Sequence, residues 1–434
     1  MLKRIPVADL ELGMFVHKLE GSWFDHPFWK AQFLVEDTGR LSAIKESRVR
    51  SVVIDTDKGI DVVEVNLAAK HAIPKDAAPP AEARVRSITR RAAMQLDNPQ
   101  PVSMEEEVNA AAQIAEQARV RLGKIFNDAR LGRALDLRKV EPVVSDILAS
   151  VRRNPQAFSG LMRCKLKNEQ IFRHALSVSA LMVALADRMK LNGAEIHNSG
   201  LAGLLLDIGV NYLPDTVDPW TGGRRQADQR IWQSHVVLGY RALQNEDLPE
   251  AVLKACLMHH ERIDGSGYPQ GRAGDDIPQI ARMAAICDSF EFLLAGTIGQ
   301  PALDPAAAVA GLRAQTGAFD EDILRLFIET VGLYPVGSFV ELASGKLAMV
   351  IDEDRKDPLS PVVQAFYSLE RRERILPHRI ALADEGTPEE IVGIADLTGL
   401  ELTADALFRE LVFLSTFRAP AAGGREAAAQ ARTE

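Results

Sequence analysis

The chain has few cysteines, no long apolar run and no apolar N-terminal segment. Its 434 residues include only three cysteines, Cys164, Cys256 and Cys287, which are too widely spaced to suggest a disulfide framework. Free buried thiols in a reducing cytoplasm are therefore expected. The absence of any run of about 18 apolar residues argues against a membrane-spanning helix. Residues 1–6 lack the apolar centre of a secretory signal, so a cytoplasmic protein is expected.

Positive charge is also scarce, because acidic residues outnumber basic ones and the net charge is −9. A general DNA or RNA binder needs clustered cations for phosphate contacts, so neither nucleic acid is expected as a partner. A small phosphorylated ligand held through metal ions is still allowed. Hydrophobic residues make up 47% and charged residues 26% of the chain, which is typical of a globular protein. Its length predicts about two to four modules.

Helical periodicity dominates the middle of the chain. Apolar spacing predicts one helix over Glu105–Ala129 and another that ends at Asn154, before Pro155. Further helices are predicted near residues 174–190, 195–206, 229–244, 249–260, 278–295, 305–315 and 320–331. No strands are needed between residues 104 and 332, which predicts an all-helical domain.

Short apolar runs at both ends of the chain predict strands. Ser51–Asp55 is one candidate near the N-terminus and Asp61–Val65 is another, and three strands are predicted at Ser338–Leu342, Leu347–Ile351 and Val362–Tyr367. An N-terminal aromatic cluster is expected to pack in a core or against a partner: Trp23, Phe24, Phe28 and Trp29. The predicted fold class is mostly α, an all-helical bundle flanked by two small β-rich modules.

These patterns divide the chain into six segments. They are a β-rich N-terminal module (1–70), a linker (71–103), a helical connector (104–154), a helical domain (155–335), a small β-module with a C-terminal segment (336–418) and a disordered tail (419–434).

One stretch concentrates the residues that can carry chemistry: His259-His260-Glu261-Arg262-Ile263-Asp264-Gly265-Ser266-Gly267-Tyr268-Pro269. Neighbouring side chains on a helix point about 100° apart, so both imidazoles reach one pocket only if a helix ends there. The two glycines that follow can supply that end and begin a stiff loop. A lone His-His pair is more often a polar helix end than a ligand pair.

Other candidate ligands lie on helices with apolar faces: His174, Asp207, His235 and Asp288. A carboxylate within an apolar helix is destabilising unless it is paired or bound to a metal. Imidazole and carboxylate groups at several helix positions build multinuclear metal sites, which can clamp a phosphodiester and generate hydroxide. Each residue alone is more often structural, and together they can also pair as hydrogen-bonded core polar groups.

The order and spacing of these residues resemble the HD-GYP family, the branch of the HD phosphohydrolases that hydrolyses cyclic di-GMP. The resemblance covers residues 155–335 and implies an HD-type helical bundle. It rests on Phe172–His174, Leu204–Gly209, Ser234–Gly239, His259–Pro269 and Ala281–Asp288. Residues 1–70 also resemble the module of unknown function that often precedes this domain in bacteria.

The resemblance implies a set of site residues. The implied metal ligands are His174, Asp207, His235, His259, His260 and Asp288, with Asp207 bridging two metals. Asp207 and Asp264 are the predicted catalytic residues. The predicted substrate-binding residues are Arg282 and the loop residues Gly265, Gly267, Tyr268 and Pro269. Mixed imidazole and carboxylate ligation favours iron or manganese over zinc.

The chain departs from the family pattern at the site itself. The family's His-Asp pair reads Leu206-Asp207, so one metal loses a nitrogen ligand and the protein is expected to hold one ion or none. The lysine expected near the reacting phosphate is Val210, and a position that is acidic in some members is Gln170. Thr297 and Gln300 replace two cations that hold substrate phosphates. Losing one such charge typically slows a reaction about 10²- to 10³-fold.

Three functions are compatible with this pattern. The favoured one is a catalytically impaired bacterial signalling protein that senses cyclic di-GMP and acts on protein partners. The second is an active metal-dependent cyclic di-GMP phosphodiesterase that tolerates the substitutions. The third is a scaffold that binds neither nucleotide nor metal. The retained His and Asp residues favour the first two, because buried polar groups without partners are destabilising. The sequence does not indicate the oligomeric state.

Overall fold

The protein is described here from a computed structural model. The structure describes residues 2–7, 10, 14–20, 32–35, 41, 44–45, 49, 51–55, 58, 100–131, 133, 135–164, 170–213, 231–296, 301–354, 357, 359–384, 386, 389–400 and 405–417. Several predicted features lie outside these residues: the N-terminal aromatic cluster, the strand at Asp61–Val65, most of the linker, Thr297, Gln300 and the tail.

The N-terminal module contains a four-stranded antiparallel sheet. Its strands are β1 (Leu2–Pro6), β2 (Phe15–Glu20), β3 (Phe33–Leu34) and β4 (Ser51–Asp55), in the order β1-β4-β2-β3. The strand predicted at Ser51–Asp55 is confirmed. Val52 and Ile54 alternate with more exposed residues, so one face of β4 is buried in an apolar core.

The helical part confirms the predicted all-α domain, since no strand lies in its described residues. Its helices are α1 (Met104–Arg130), α2 (Glu141–Arg153), α3 (Ala157–Cys164), α4 (Gln170–Arg188), α5 (Gly193–Leu205), α6 (His235–Leu243), α7 (Glu250–Met258), α8 (Gln279–Ala295), α9 (Pro305–Ala314) and α10 (Glu321–Val331). A short 3-10 turn, Ile208–Tyr212, follows α5. The fold class predicted from the sequence is thereby confirmed.

Polar contacts fix how the first helices pack. A capping box between Ser103 and Glu106 begins α1. One turn later the buried carboxylate of Glu107 accepts from Ser150 Oγ at 2.6 Å and from Arg153 Nε at 2.6 Å, which ties α1 to α2. Within the bundle, Ser179 of α4 donates to the carbonyl oxygen of Gly200 on α5 at 2.8 Å. This bond joins α4, which carries His174, to α5, which leads to Asp207.

A five-stranded antiparallel sheet follows the helical domain. The three predicted strands are confirmed as β5 (Phe339–Leu342), β6 (Lys346–Asp352) and β7 (Val362–Ser368). Two further strands, β8 (Glu373–Ala381) and β9 (Ile391–Ile394), complete the order β8-β7-β6-β5-β9, and helix α11 (Asp405–Thr416) covers part of the sheet. The sequence did not predict these three elements. Strand β8 is a mostly exposed edge strand with charged residues and a proline, so it lacks the apolar alternation of its neighbours.

No helix within the described part of the chain is both long and apolar enough to span a bilayer.

Burial of one carboxyl at the junction between the bundle and the C-terminal sheet predicts a pH dependence of stability. Burial raises the pKa of Glu353 to about 7 from its ordinary value of 4.5, despite the opposing effects of Gln156 and Arg163. The folded state therefore binds this proton more tightly than the unfolded state, so stability falls as pH rises from about 4.5 to about 7. We expect Glu353→Gln to remove this loss, which amounts to about 3 kcal/mol.

The measurement is urea unfolding of both proteins at pH 5 and pH 8. Glu353→Gln should be more stable than the wild type at pH 8 and nearly equal to it at pH 5. The matched control is Glu370→Gln, because Glu370 is an exposed carboxylate in the turn between β7 and β8. Equal stability differences at the two pH values would contradict the prediction.

Candidate metal centre

The ends of helices deliver most of the predicted ligands to one place. Asp207 lies just beyond α5, between its capping residue Leu206 and the 3-10 turn. His235 is the first residue of α6, and His259 caps the end of α7. At such positions a side chain can point inward while the chain changes direction. The helix ends here, as the sequence predicted, and His260 is the next residue along the chain.

Four of these residues form a compact donor cluster. Asp207, His235, His259 and His260 each offer one atom, and these atoms all lie within 4.8 Å of one another. Asp207 Oδ1 is 3.3 Å from His235 Nε2 and 3.6 Å from His259 Nε2. The two imidazole Nε2 atoms are 3.4 Å apart. Two nitrogens at about 2.0–2.1 Å from one ion would have a similar separation. We call this group the four-donor cluster.

Backbone carbonyls orient two imidazoles in this cluster. His235 Nδ1 lies 2.6 Å from the carbonyl oxygen of Trp232, and His259 Nδ1 lies 3.0 Å from that of Cys256. A carbonyl oxygen can only accept, so each Nδ1 carries a proton and each Nε2 is left to face Asp207 Oδ1 and the other imidazole. Two Nε2 atoms this close repel unless a proton or a cation lies between them. The arrangement is typical of histidines that bind metal through Nε2.

A second cluster shares Asp207 with the first. His174, Asp207 and Asp288 offer three donors within 4.8 Å of one another. His174 Nε2 is 3.2 Å from Asp207 Oδ2 and 3.0 Å from Asp288 Oδ1. The carboxylate of Asp207 therefore turns one oxygen toward each cluster, as a bridging ligand would. His260 Nδ1 lies 3.6 Å from Asp288 Oδ2, which adds a second link between the groups. We call this group the three-donor cluster.

The electrostatics of the two clusters differ. Burial alone would lower the pKa of His174, but hydrogen bonds with Asp207 and Asp288 outweigh it and raise this pKa to about 10. Burial opposes ionisation of Asp207 too, yet the surrounding histidines hold its pKa well below the usual range. Burial, together with the charges of His259 and His235, lowers the pKa of His260 well below its ordinary value. Asp207 is therefore ionised and His260 is neutral, which are the states that bind metal, whereas protonated His174 would have to release its proton to bind one.

The donor set fits a divalent cation. His235 and His259 are fully buried, and His174, Asp207 and Asp288 are nearly so. Asp207 Oδ1 and His260 Nε2 are buried and make no well-aligned hydrogen bond within the described residues. Buried polar atoms without hydrogen bonds are destabilising, and coordination would satisfy both of them. Ligation itself remains a prediction, because the geometry is also that of a hydrogen-bonded polar core.

Two of the residues that depart from the family pattern lie in apolar surroundings. Leu206 is only 1% exposed and belongs to the core of the helical domain. Val210 is half-buried and packs against the apolar core of the N-terminal module. Gln170 is the first residue of α4, one turn before His174. Leu206 offers no ligand and Val210 no charge, whereas Gln170 offers a neutral amide oxygen in place of a carboxylate.

Glu261 organises the loop that follows the two histidines. Its buried carboxylate accepts from the backbone nitrogens of Gln270 at 2.7 Å and Arg272 at 2.9 Å, which fastens the loop onto itself. A Cβ on Gly267 would lie only 2.4 Å from the backbone nitrogen of Arg262, so no larger residue fits there. No role for Glu261 was predicted from the sequence, although a carboxylate beside two histidines was a visible signal.

Tyr268 connects this loop to the clusters. Its ring stacks on that of His260 with centroids 4.6 Å apart, and the Tyr268–Pro269 peptide bond is cis. Gly265 has a positive φ of 78°, which suits glycine. Of the four loop residues predicted to bind substrate, Tyr268 is thus the one whose side chain contacts a predicted ligand.

Two other predicted site residues have partners of their own. The exposed carboxylate of Asp264 accepts from the backbone nitrogen of Ser266 at 2.9 Å and from its hydroxyl at 2.6 Å. Arg282 Nη1 donates to Asp320 at 2.8 Å and lies 3.6 Å from Asp275. Neither residue belongs to the donor clusters. A catalytic role for Asp264 and a substrate-binding role for Arg282 therefore remain predictions.

Trp232 is a residue that the sequence did not single out as functional. Besides accepting the His235 hydrogen bond, it places its ring 4.5 Å from the His235 imidazole, centroid to centroid. The available signal was its spacing, three residues before a predicted ligand.

Comparisons with known proteins agree with this geometry. Residues 155–323 match the family described as HD domain, and residues 2–140 match a domain of unknown function, DUF3391. The chain is 37% identical over 395 residues to the cyclic di-GMP phosphodiesterase PA4108 of Pseudomonas aeruginosa, covering 91% of this chain and 92% of that protein.

Two other relatives match over shorter lengths. The cyclic di-GMP phosphodiesterase response regulator RpfG of Xanthomonas campestris is 36% identical over 136 residues, or 31% of this chain and 36% of that protein. The cyclic di-GMP phosphodiesterase PdeB of Borreliella burgdorferi is 22% identical over 191 residues, or 44% of this chain and 50% of that one. Among solved structures, an HDG"Y"P protein from Bdellovibrio bacteriovorus matches this chain at 17% identity with a TM-score of 0.44. The match covers 76% of this chain and 99% of that chain, and a similarity at this TM-score supports no conclusion.

The helical bundle and its shared-aspartate clusters thus define an HD domain, a class of phosphohydrolase that binds divalent metals. The chain belongs to the HD-GYP family and carries the DUF3391 domain before its HD domain.

Proposed function

We propose that this protein binds cyclic di-GMP in bacterial signalling, holds one divalent metal ion in the four-donor cluster, and hydrolyses the nucleotide weakly or not at all. The observation that carries the proposal is that the two clusters differ in their number of donors. One cluster offers three histidines and a carboxylate, whereas the other has three donors and Leu206 beside them. Iron or manganese suits the four-donor cluster better than zinc.

A metal pair in such a site would polarise the phosphodiester and supply a hydroxide near neutral pH. The chain's own residues explain why this chemistry should be weak. Leu206 has no lone pair, so the three-donor cluster must bind an ion with two carboxylates and one imidazole. Val210 has no charge to offer a phosphate, and its side chain packs against the N-terminal core instead. Effects of residues that act together are not additive, but each loss weakens the same step.

Cyclic di-GMP is the proposed ligand because the relatives are named for it and the domain's site is retained. With turnover impaired, the bound nucleotide would act as a signal that protein partners read. The second candidate function is an active cyclic di-GMP phosphodiesterase. It is favoured by the 37% identity to PA4108 over nearly the whole chain and by the retained bridging position of Asp207.

Metal content and nucleotide turnover, measured on one preparation, separate these functions. The purified full chain would be loaded with Mn²⁺ or Fe²⁺ without oxygen, analysed for bound metal, and incubated with cyclic di-GMP. Thermal unfolding with and without nucleotide reports binding, since a ligand at a hundred times its dissociation constant adds about 2.7 kcal/mol of stability.

We expect about one metal per chain, stabilisation by cyclic di-GMP and little or no product. Two metals per chain with rapid turnover would establish the phosphodiesterase and overturn the proposal of impairment. No metal and no stabilisation by the nucleotide would contradict both functions and leave the scaffold interpretation.

A further inference from the structure

The N-terminal module shares an apolar core with the elements that carry Asp207 and His235. Buried residues of the module pack with three residues of the helical domain, Leu213, Ile231 and Trp232, and Val210 and Leu238 pack against the same core. We call these five helical-domain residues the docking patch. On the module side, this core includes Ile5, Leu10, Met14, Val16, Val52 and Ile54, each at most 3% exposed. Such a shared apolar core is expected to hold the two modules together.

Three residues of the docking patch lie within one helical turn of two predicted ligands. Val210 follows Asp207 by three residues in the 3-10 turn. Trp232 precedes His235 by three residues, and Leu238 follows it by three on α6. Residues three apart lie on the same side of a helical turn, so the module contacts the segments that present these two donors.

Trp232 belongs to both the docking patch and the surroundings of His235. Its carbonyl oxygen accepts from His235 Nδ1 at 2.6 Å, and its ring lies against the imidazole at 4.5 Å. Trp232 is 6% exposed and belongs to the core that the N-terminal module shares with the helical domain. The hydrogen bond sets the tautomer and ring orientation of His235, as outer partners of metal-binding histidines generally do.

Gly209 makes the Asp207 segment and α6 a single packed unit. A Cβ at this position would lie 1.9 Å from the carbonyl oxygen of His235 and 2.6 Å from the backbone nitrogen of Gly239. The 3-10 turn therefore rests directly on the backbone of α6, with no side chain between them. Closely packed elements move together rather than deform, so a shift of this unit would move Asp207 and His235 together.

We infer that the N-terminal module positions Asp207 and His235 and thereby sets the metal affinity of the four-donor cluster. Trp232 is the positioning residue that connects the module to His235. This inference rests on the metal-binding part of the proposed function and states how that metal binding is regulated. A change in how the module packs would alter metal occupancy without contact between the module and the ion.

The identity of Val210 agrees with this arrangement. A lysine at this position would have to direct its ammonium group away from the N-terminal core to remain solvated. A valine instead adds apolar surface to the docking patch. Val210 thus removes a predicted phosphate contact and also strengthens the contact between the two modules.

Mn²⁺ titration of full-length variants tests the inference. Trp232→Ala keeps the carbonyl oxygen that accepts from His235 Nδ1 but removes the ring that packs on the imidazole and in the docking patch, so the carbonyl and His235 lose their support and Mn²⁺ binding should weaken about 10-fold. Trp232→Phe keeps an aromatic ring in this place and should restore affinity to within about three-fold of the wild type. Met14→Ala, which alters only the module side of the core, should weaken binding in the same direction.

The matched control is Phe413→Ala, because Phe413 is a fully buried aromatic residue of α11 in the C-terminal part of the chain. This variant should bind Mn²⁺ like the wild type although it loses stability. Equal Mn²⁺ affinities in the wild type, Trp232→Ala and Met14→Ala would overturn the inference while leaving the proposed function standing. Rapid turnover by the wild type would overturn the proposed impairment and leave the affinity comparison intact.

A second measurement needs no variant and so does not depend on their folding. Coupling between two sites is reciprocal, so Mn²⁺ bound at the four-donor cluster must stabilise the contact with the module. Saturating Mn²⁺ should slow amide hydrogen exchange in β2 and β4 of the wild-type chain as well as in α6. Protection confined to the helical domain, with unchanged exchange in both strands, would contradict the inference.

Discussion

Replacing Asp207 with asparagine should strongly weaken metal binding at the four-donor cluster and remove the ligand that this cluster shares with the three-donor cluster. Its two carboxylate oxygens face different donors, Oδ1 toward His235 and His259 and Oδ2 toward His174. Asparagine has nearly the same shape but only one neutral oxygen, so the four-donor cluster loses its anionic ligand and the three-donor cluster keeps only that of Asp288. Loss of an outer partner alone lowers metal affinity about 10- to 100-fold, so loss of this shared ligand should exceed about 100-fold.

The readouts are bound metal after dialysis and Mn²⁺ affinity by titration. The control is Asp322→Asn, the same chemical change at a carboxylate whose side chain is 90% exposed and 3.5 Å from Arg325. This variant should retain the wild-type metal content. Unaltered Mn²⁺ binding by Asp207→Asn would show that the six predicted ligands form a hydrogen-bonded polar core, which was the alternative that the sequence left open.

Replacing Leu206 with histidine should give the largest gain of function. The new imidazole would stand beside Asp207, where the three-donor cluster lacks a nitrogen ligand by comparison with the family. We expect a second metal ion per chain and a rise in cyclic di-GMP turnover of about 10²- to 10³-fold, the typical effect of restoring one group that stabilises developing charge.

The same substitution should have opposite effects on stability with and without metal. Leu206 is 1% exposed, and a buried imidazole without a partner destabilises a protein by about 1–3 kcal/mol. Leu206→His should therefore unfold more easily than the wild type in EDTA and recover in Mn²⁺. The control is Leu206→Met, which conserves volume and adds no nitrogen, and should change neither metal content nor turnover. Unchanged metal stoichiometry in Leu206→His would contradict the prediction, as would rapid turnover by the wild type.

These substitutions test different parts of the proposal. Asp207→Asn tests whether the retained residues bind metal at all, whereas Leu206→His tests whether the missing donor is what limits hydrolysis. The variants Trp232→Ala and Met14→Ala test a third point, which is whether the N-terminal module controls the metal affinity of the four-donor cluster. A protein that binds one metal, gains a second in Leu206→His and loses affinity in Met14→Ala would satisfy all three.

Local patterns were sufficient to predict most helices of the helical domain and the three central strands, whereas α3 and α11 were not predicted. The helix predicted over Glu105–Ala129 extends over Met104–Arg130, and the end predicted at Asn154 is the capping residue of α2. Periodicity and capping depend on residues within a few positions of one another, so the sequence displays them directly. Strand β8 escaped prediction because an exposed edge strand has little apolar pattern to display.

The sequence by itself determined which residue types reach the site, and it displayed the loss of the family histidine at Leu206. Only the tertiary structure decided how those residues combine. His174 and Asp288 are 114 positions apart yet lie 3.0 Å from each other. The division of Asp207 between two clusters, the pairing of Arg282 with Asp320 and the contact of Val210 with the N-terminal core are likewise absent from any local pattern. Local patterns arise from neighbours along the chain, whereas donor geometry depends on how distant helices pack.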